Sequence, residues 1–341
     1  MTVAPSDPPL DPAIRDFLFD SGLVHDTAFA AVPLTGGVAS DIWHITEGDR
    51  SFVVKRALPR LRVAQVWEAP VSRNASEVEW MLEAGRIVPD AVPQVLAHDA
   101  ARGAFAMTYL APADHPVWKT ELMDGRIDSA FAGRVGGLVA AIHAGTAGRA
   151  DVAARFANDE TFHALRLEPY LEATATRHPD LSDRLFALSR SVLATKKALV
   201  HGDVSPKNIL VGPQGPVLLD AECAWYGDPC FDLAFCLNHL LLKCVWAPSH
   251  RARYVERFAA LVAAYRERVD WEPVADLETR TAALLPALLL ARIDGKSPVE
   301  YITAESEKAR VRSFARRHVA APPPGLVDLA HAWLEEFAAH D

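Results

Sequence analysis

The reading of this chain turns on one stretch, Leu199-Val-His-Gly-Asp-Val-Ser-Pro-Lys-Asn-Ile-Leu-Val211. Two short apolar runs, residues 198–200 and 209–211, read as strands. Between them lies a polar loop in which Asp203 and Asn208 stand five residues apart. Nine residues after Val211 comes Asp220, directly behind a third apolar run at 217–219. Any one of these polar residues, taken alone, reads as a turn or a loop cap. The spaced set reads differently, because it gathers three oxygen-bearing side chains at strand ends around one cleft. A carboxylate such as Asp203 accepts a hydroxyl proton and aims a nucleophile. An Asn amide oxygen and a second carboxylate share magnesium, which prefers oxygen ligands. The ion then neutralises charge on a phosphoryl group in transfer.

Upstream, the chain has β character. Residues 30–34, 41–46 and 51–57 read as strands, with turn signals at Thr35-Gly36-Gly37 and Gly48-Asp49, so they form an antiparallel meander. A short helix at 12–21 precedes them. A helix at 72–84 follows, with Val78, Met81 and Leu82 on one face. Two more strands are expected at 95–97 and 104–110. Leu110-Ala111-Pro112 then breaks the pattern, and we place a boundary there: an N-terminal lobe over 1–110 and a helical C-terminal lobe over 111–341. Beyond it, helical spacing dominates at 130–143, 159–175, 182–195, 231–245, 250–268, 277–291, 305–318 and 327–339. A β-rich part with one main helix, followed by a mostly helical part, is an α+β two-lobe plan.

Composition narrows the class. The chain has 341 residues, half of them apolar and 23% charged, which excludes disorder as the dominant state. The formal charge of -9 and the lack of a basic stripe argue against a nucleic-acid partner. The longest apolar run, 282–291, contains Pro286 and is too short to span a bilayer. With no basic-then-apolar leader at the N-terminus, the expectation is a soluble, cytoplasmic protein without a membrane partner. Cys223, Cys230, Cys236 and Cys244 form no CxxC pair and read as small buried side chains.

The set H-G-D-x-x-x-x-N, then Asp220-Ala221-Glu222, resembles the small-molecule branch of the kinase fold, the aminoglycoside phosphotransferase and choline kinase family. The protein-kinase signature is H-R-D-x-x-x-x-N followed by D-F-G. Here Gly202 stands where that Arg would be. The resemblance implies a protein-kinase-like fold, ATP and Mg2+ as cofactors, and a small-molecule hydroxyl acceptor. It implies that Asp203 orients the hydroxyl and that Asn208 and Asp220 bind the metal. Glu222 would be a further metal ligand, a substrate contact or an orienting group. Lys55, in Phe52-Val-Val-Lys-Arg56, would clamp the α/β phosphates, and Glu77 would partner it, with Glu79 and Glu83 as competitors. Gly36, Gly37 and Ser40 would lie in the loop over the phosphates, and Met107, Tyr109 and Leu110 in the hinge that meets the adenine. His201 and Asp232 would brace the catalytic loop.

Within that family, segments such as His115-Pro-Val-Trp-Lys-Thr-Glu-Leu-Met-Asp-Gly125 and Glu168-Pro-Tyr170 are similar to methylthioribose kinases. That similarity implies a sugar or thiosugar acceptor and leaves a homodimer open. One departure stands out: the late segment has single cations, Arg292 and Lys296, where those enzymes carry a paired arginine. A different polyol or sugar therefore stays open. Acceptor-side candidates are Trp118, Arg166, Tyr170, Glu222, Trp225 and Arg292. Two other readings are an aminoglycoside or choline-like amino-alcohol kinase, and a nucleotide-binding pseudokinase with a regulatory role.

Overall fold

The structure, a computed structural model, describes residues 10–34, 40–58, 73–126 and 128–338. Gly36 and Gly37 lie outside the described residues.

Helix α1 (Pro12–Asp20) begins where Asp11 accepts the Ala13 N–H and Pro12 takes the first helical position. Strands β1 (Ala30–Pro33), β2 (Ser40–Glu47), β3 (Arg50–Ala57), β4 (Val95–Asp99) and β5 (Ala104–Thr108) form one antiparallel sheet in the order β1-β2-β3-β5-β4. Alternation along β3 decides what the sheet presents. Phe52 and Val54 join Trp43, Ile45, Ala104 and Ala106 in a core with Ile14, Phe17 and Leu18 of α1. Lys55 projects to the opposite face, where α2 (Arg73–Ile87) brings Glu77 to it.

The remainder is helical: α3 (Trp118–Met123), α4 (Ser129–Thr146), α5 (Ala150–Arg155), α6 (Asp159–Phe162), α7 (Ala173–Arg177), α8 (Ser182–Ala194), α9 (Cys230–Trp246), α10 (Arg251–Arg266), α11 (Val274–Asp294), α12 (Glu305–Ala320) and α13 (Leu326–Ala338). Between α8 and α9 lie two small ladders, β6 (Ala198–Val200) with β9 (Trp225–Gly227), and β7 (Ile209–Gly212) with β8 (Gly215–Leu218). Helices α9, α10 and α4 form the centre of the larger core. Helices α4 and α10 meet closely because Gly136 has no side chain: a Cβ there would sit 2.2 Å from the Leu261 carbonyl oxygen. All four cysteines are free and buried.

Two expectations need correction. Residues 159–175 are not one regular helix, because His163–Glu172 between α6 and α7 winds as a π-helix. Pro169 lies inside it and has no N–H to give to the ladder, so a regular α register cannot run through. Its carbonyl accepts the Lys296 N–H at 2.9 Å, which ties the segment to the end of α11. The strand expected at 217–219 also stops earlier, at Leu218, and the Leu219 N–H turns to the Asn208 carbonyl instead.

Candidate active site

The loop after β6 is held by its backbone. Asp232, in the first turn of α9, accepts the N–H of His201 at 2.7 Å and of Gly202 at 2.8 Å. His143 Nε2 approaches the same carboxylate at 3.2 Å. The His201 ring accepts the Asp203 N–H at Nδ1, and Nε2 donates to the Leu219 carbonyl, which fixes the tautomer. Burial lowers the His201 pKa, so the ring stays neutral as a strut. Gly202 is required on two grounds: its φ is +80°, and a Cβ would lie 2.7 Å from the Cys223 carbonyl oxygen. Gly202→Ala is therefore expected to destabilise by about 2–4 kcal/mol, from strain plus steric displacement. A lowered urea midpoint with an unchanged m-value checks it.

That frame sets Asp203. Its Oδ2 meets Arg166 Nη2 at 3.0 Å and Lys207 Nζ at 3.2 Å. Burial opposes ionisation, but Lys207 and Arg166 together hold the carboxyl below its ordinary range. Oδ1 is buried and has no partner among the described residues. An unmet buried acceptor costs roughly 1–3 kcal/mol, so it needs a reason to exist. A hydroxyl brought to Oδ1 would supply the missing donor.

Asp220 sits across the cleft with φ +67°, a left-handed conformation unusual for a residue with a side chain. Its carboxylate meets Lys55 Nζ, which also lies 2.7 Å and 2.9 Å from the two oxygens of Glu77. Burial would lower the Lys55 pKa, but Asp220, Glu77 and Glu222 more than reverse it, so the ammonium stays charged. Burial opposes ionisation of Asp220 too, and Lys55 and Lys207 outweigh it and depress its pKa. Burial pushes Glu77 up to about 7 despite Lys55, because Asp220 and Glu222 add like charge. The competitor Glu83 is taken up by Arg149 and Arg155, and Glu79 makes a half-exposed pair with Arg155.

Glu222 takes a partner that the sequence reading did not assign. Its Oε2 accepts Arg73 Nε at 2.9 Å, and Arg73 also donates to the Leu58 carbonyl. Arg73 and Glu77 are four residues apart, so one face of α2 reaches both carboxylates of Asp220-Ala221-Glu222: Arg73 meets Glu222 directly, and Glu77 reaches Asp220 through Lys55. Asn208 spends its Nδ2 on the Asp203 carbonyl at 3.2 Å, which leaves its oxygen as an acceptor. Asn208 and Asp220 make a hard, oxygen-only donor set. Among the described residues no three His, Cys, Asp or Glu side chains converge closely enough to cage a metal alone. The set therefore suits a cation that arrives with phosphate oxygens as further ligands.

The remaining candidates fall in different places. Ser40 starts β2 with a buried Oγ lacking a partner among the described residues. Met107 pairs with Val53 in the sheet, and Tyr109 stacks on His44 with ring centres 3.9 Å apart. Leu110 follows Tyr109 and is half-buried. Arg166 and Tyr170 lie four residues apart on the π-helix, near Asp203 and Arg292 respectively. Trp225 and Trp118 are both buried. The Trp225 ring stacks on Phe162 at 4.2 Å and its N–H goes to Asp159, while Trp118 packs edge-on against Phe131. Lys207 escaped the sequence reading, although its spacing of four from Asp203 was an available signal. A groove of about 1060 Å3 lies apart from this cluster, lined by Ile87, Arg134, Gln214 and Arg268 among others.

The chain is similar to proteins already known. A model of the Phosphotransferase enzyme family matches residues 30–277. Methylthioribose kinase of Erwinia tasmaniensis is 29% identical over 231 residues, 60% of this chain and 57% of that protein. Methylthioribose kinase of Yersinia enterocolitica is 28% identical over 217 residues, 56% and 54%. The chain thus spans little more than half the length of these curated relatives. The amicoumacin kinase hAmiN superposes with a TM-score of 0.57 at 14% identity, covering 93% of this chain and 96% of that one. An aminoglycoside phosphotransferase from Alicyclobacillus acidocaldarius gives 0.53 at 14% identity, covering 99% and 98%. These likenesses show the two-lobe α+β kinase fold.

Proposed function

The chain belongs to the phosphotransferase enzyme family, and from that premise we propose that it transfers the γ-phosphoryl group of ATP to a hydroxyl of a small polyol, a sugar or thiosugar of the kind its relatives' name indicates. The observation that carries this reading is the pair of poised groups in one cleft. Lys55 is charged and shared by Glu77 and Asp220, and Asp203 presents a buried oxygen with no partner among the described residues.

Asp203 accepts a hydrogen bond from the acceptor hydroxyl and aims its oxygen at the phosphorus. Because Lys207 and Arg166 keep this carboxylate acidic, it orients first and takes the proton only as the new P–O bond forms. Lys55, steadied by Glu77, holds phosphate oxygens. Asp220 and Asn208 would hold Mg2+, which neutralises phosphate charge when bound. Arg73 keeps Glu222 beside them. Intact Lys55, Asp203, Asn208 and Asp220 disfavour the pseudokinase reading.

An ADP-release assay over sugars, thiosugars, sugar acids, sugar phosphates, amino alcohols and aminoglycosides tests it. We expect turnover above the no-acceptor rate with at least one class, abolished by EDTA and restored by excess Mg2+. Absence of acceptor-dependent turnover across all classes would refute the reading.

A further inference from the structure

Beyond Asp203, the side chains packed around Tyr170 are cationic. The Arg166 guanidinium that grips Asp203 lies 6.0 Å from the centre of the Tyr170 ring, and the Arg292 guanidinium lies 5.8 Å from that same ring. Helix α9 continues the surface. It carries Phe235, His239 and Lys243 at four-residue intervals, hence on one face. The Phe235 ring centre is 5.5 Å from that of Tyr170 and 5.7 Å from that of His239.

Lys243 is the anomaly. It is 1% exposed, yet its Nζ has no hydrogen-bond partner and no carboxylate within salt-bridge distance among the described residues. Its ammonium lies over the rings of Tyr301, at 4.6 Å from the ring centre, and Trp246, at 5.6 Å. Arg292 is similar. Its Nη1 goes to the Ser297 carbonyl and to the hydroxyls of Ser297 and Tyr170, and among the described residues its buried Nε has no partner and no carboxylate neutralises it at close range. The Tyr301 hydroxyl is also buried without a partner among the described residues. Nearby acids are already committed, Glu300 to Lys119 and Glu168 to Lys296. Burial, reinforced by Lys119, pulls the Lys243 pKa down to about 8. His239 is held well below its ordinary range by burial and by Arg292, Lys243, Lys207 and Lys119 together. Buried cations without counter-charge are costly unless an anion joins them. A choline-like or aminoglycoside cation would meet repulsion here.

We propose that the acceptor is itself an anion, a polyol bearing a carboxylate or phosphate group. Lys243 and Arg292 hold that group while one of its hydroxyls faces Asp203. The inference rests on the kinase reading and departs from the neutral thiosugar in the relatives' name by giving the acceptor a negative charge.

The test compares matched acceptors in the ADP-release assay: D-ribonate and D-gluconate, ribose 5-phosphate and glucose 6-phosphate, neutral ribose and glucose, and cationic choline and kanamycin. We expect a carboxylate or a phosphate to exceed its neutral counterpart in kcat/KM by at least tenfold, and the two anionic arms identify which group is bound. Lys243→Met should raise KM for that anion at least tenfold, more than it lowers kcat, and Lys243→Arg should recover part of it. The thermal midpoint of each variant is recorded, and Arg292→Gln supplies a second readout should Lys243→Met fold poorly. A neutral or cationic best acceptor, or an unchanged KM in both Lys243→Met and Arg292→Gln, overturns the inference while leaving the kinase reading intact. Turnover with no acceptor of any class would sink both.

Discussion

Asp203→Asn is expected to cut acceptor-dependent ADP release by a factor of about 10³ while changing ATP affinity less than about threefold. The carboxylate does two jobs. Its free oxygen orders the acceptor hydroxyl, and its negative charge receives the proton as the P–O bond forms. Asn keeps the size and one acceptor oxygen but loses the charge, so orientation partly survives and proton acceptance does not. Asn is a better probe than Ala. Both changes unpair the buried Arg166, but Ala also removes the oxygen that accepts its N–H, whereas Asn keeps a neutral acceptor there. With Ala, loss of turnover would then be confounded with loss of fold. The contrast between a collapsed kcat and a near-constant Kd for ATP, by calorimetry, identifies the role.

Lys55→Met should act on the other substrate. Removing the ammonium leaves Glu77 and Asp220 without the positive charge both now share. Burial and mutual repulsion would then favour protonation of Glu77, which already sits near neutrality at about 7. We expect kcat/KM for ATP to fall by about 10²–10³, with both kcat and KM affected, because the lysine holds phosphate oxygens in ground and transition states alike. Glu77→Gln keeps the ammonium but loosens it, and should lie between the variant and the wild type. Steady-state kinetics in ATP at saturating acceptor measures both.

Much of the fold was legible because periodicity is a local signal. The β2–β3 turn was readable from Gly48-Asp49, and the face of Lys55 from strand alternation. The catalytic stretch was readable because spacing, not any single residue, carried it. What stayed hidden depends on partners far along the chain. Arg73 meets Glu222 across 149 residues, and Arg292 meets Tyr170 across 122. The π-wound turn was invisible for a different reason. Pro169 signals an interruption, but whether the helix breaks, kinks or widens is settled by tertiary partners such as the Lys296 N–H. Lys243 falls in the segment 231–245, expected to be a helix by its spacing. Its burial beside aromatic rings, with no counter-charge among the described residues, is what marks it as unusual. Trp118 and Trp225 show the converse, since aromatic residues near a cleft in sequence can be spent on packing.

The decisive measurement is the fate of the label from γ-32P-ATP in the presence of Mg2+ and the best acceptor, for the wild type and for Asp203→Asn side by side. The label should appear covalently on the acceptor with the wild type and be reduced about a thousandfold with the variant. Label released only as inorganic phosphate, or transferred equally by both proteins, would contradict the assignment of this cleft as a hydroxyl phosphotransferase organised by Asp203.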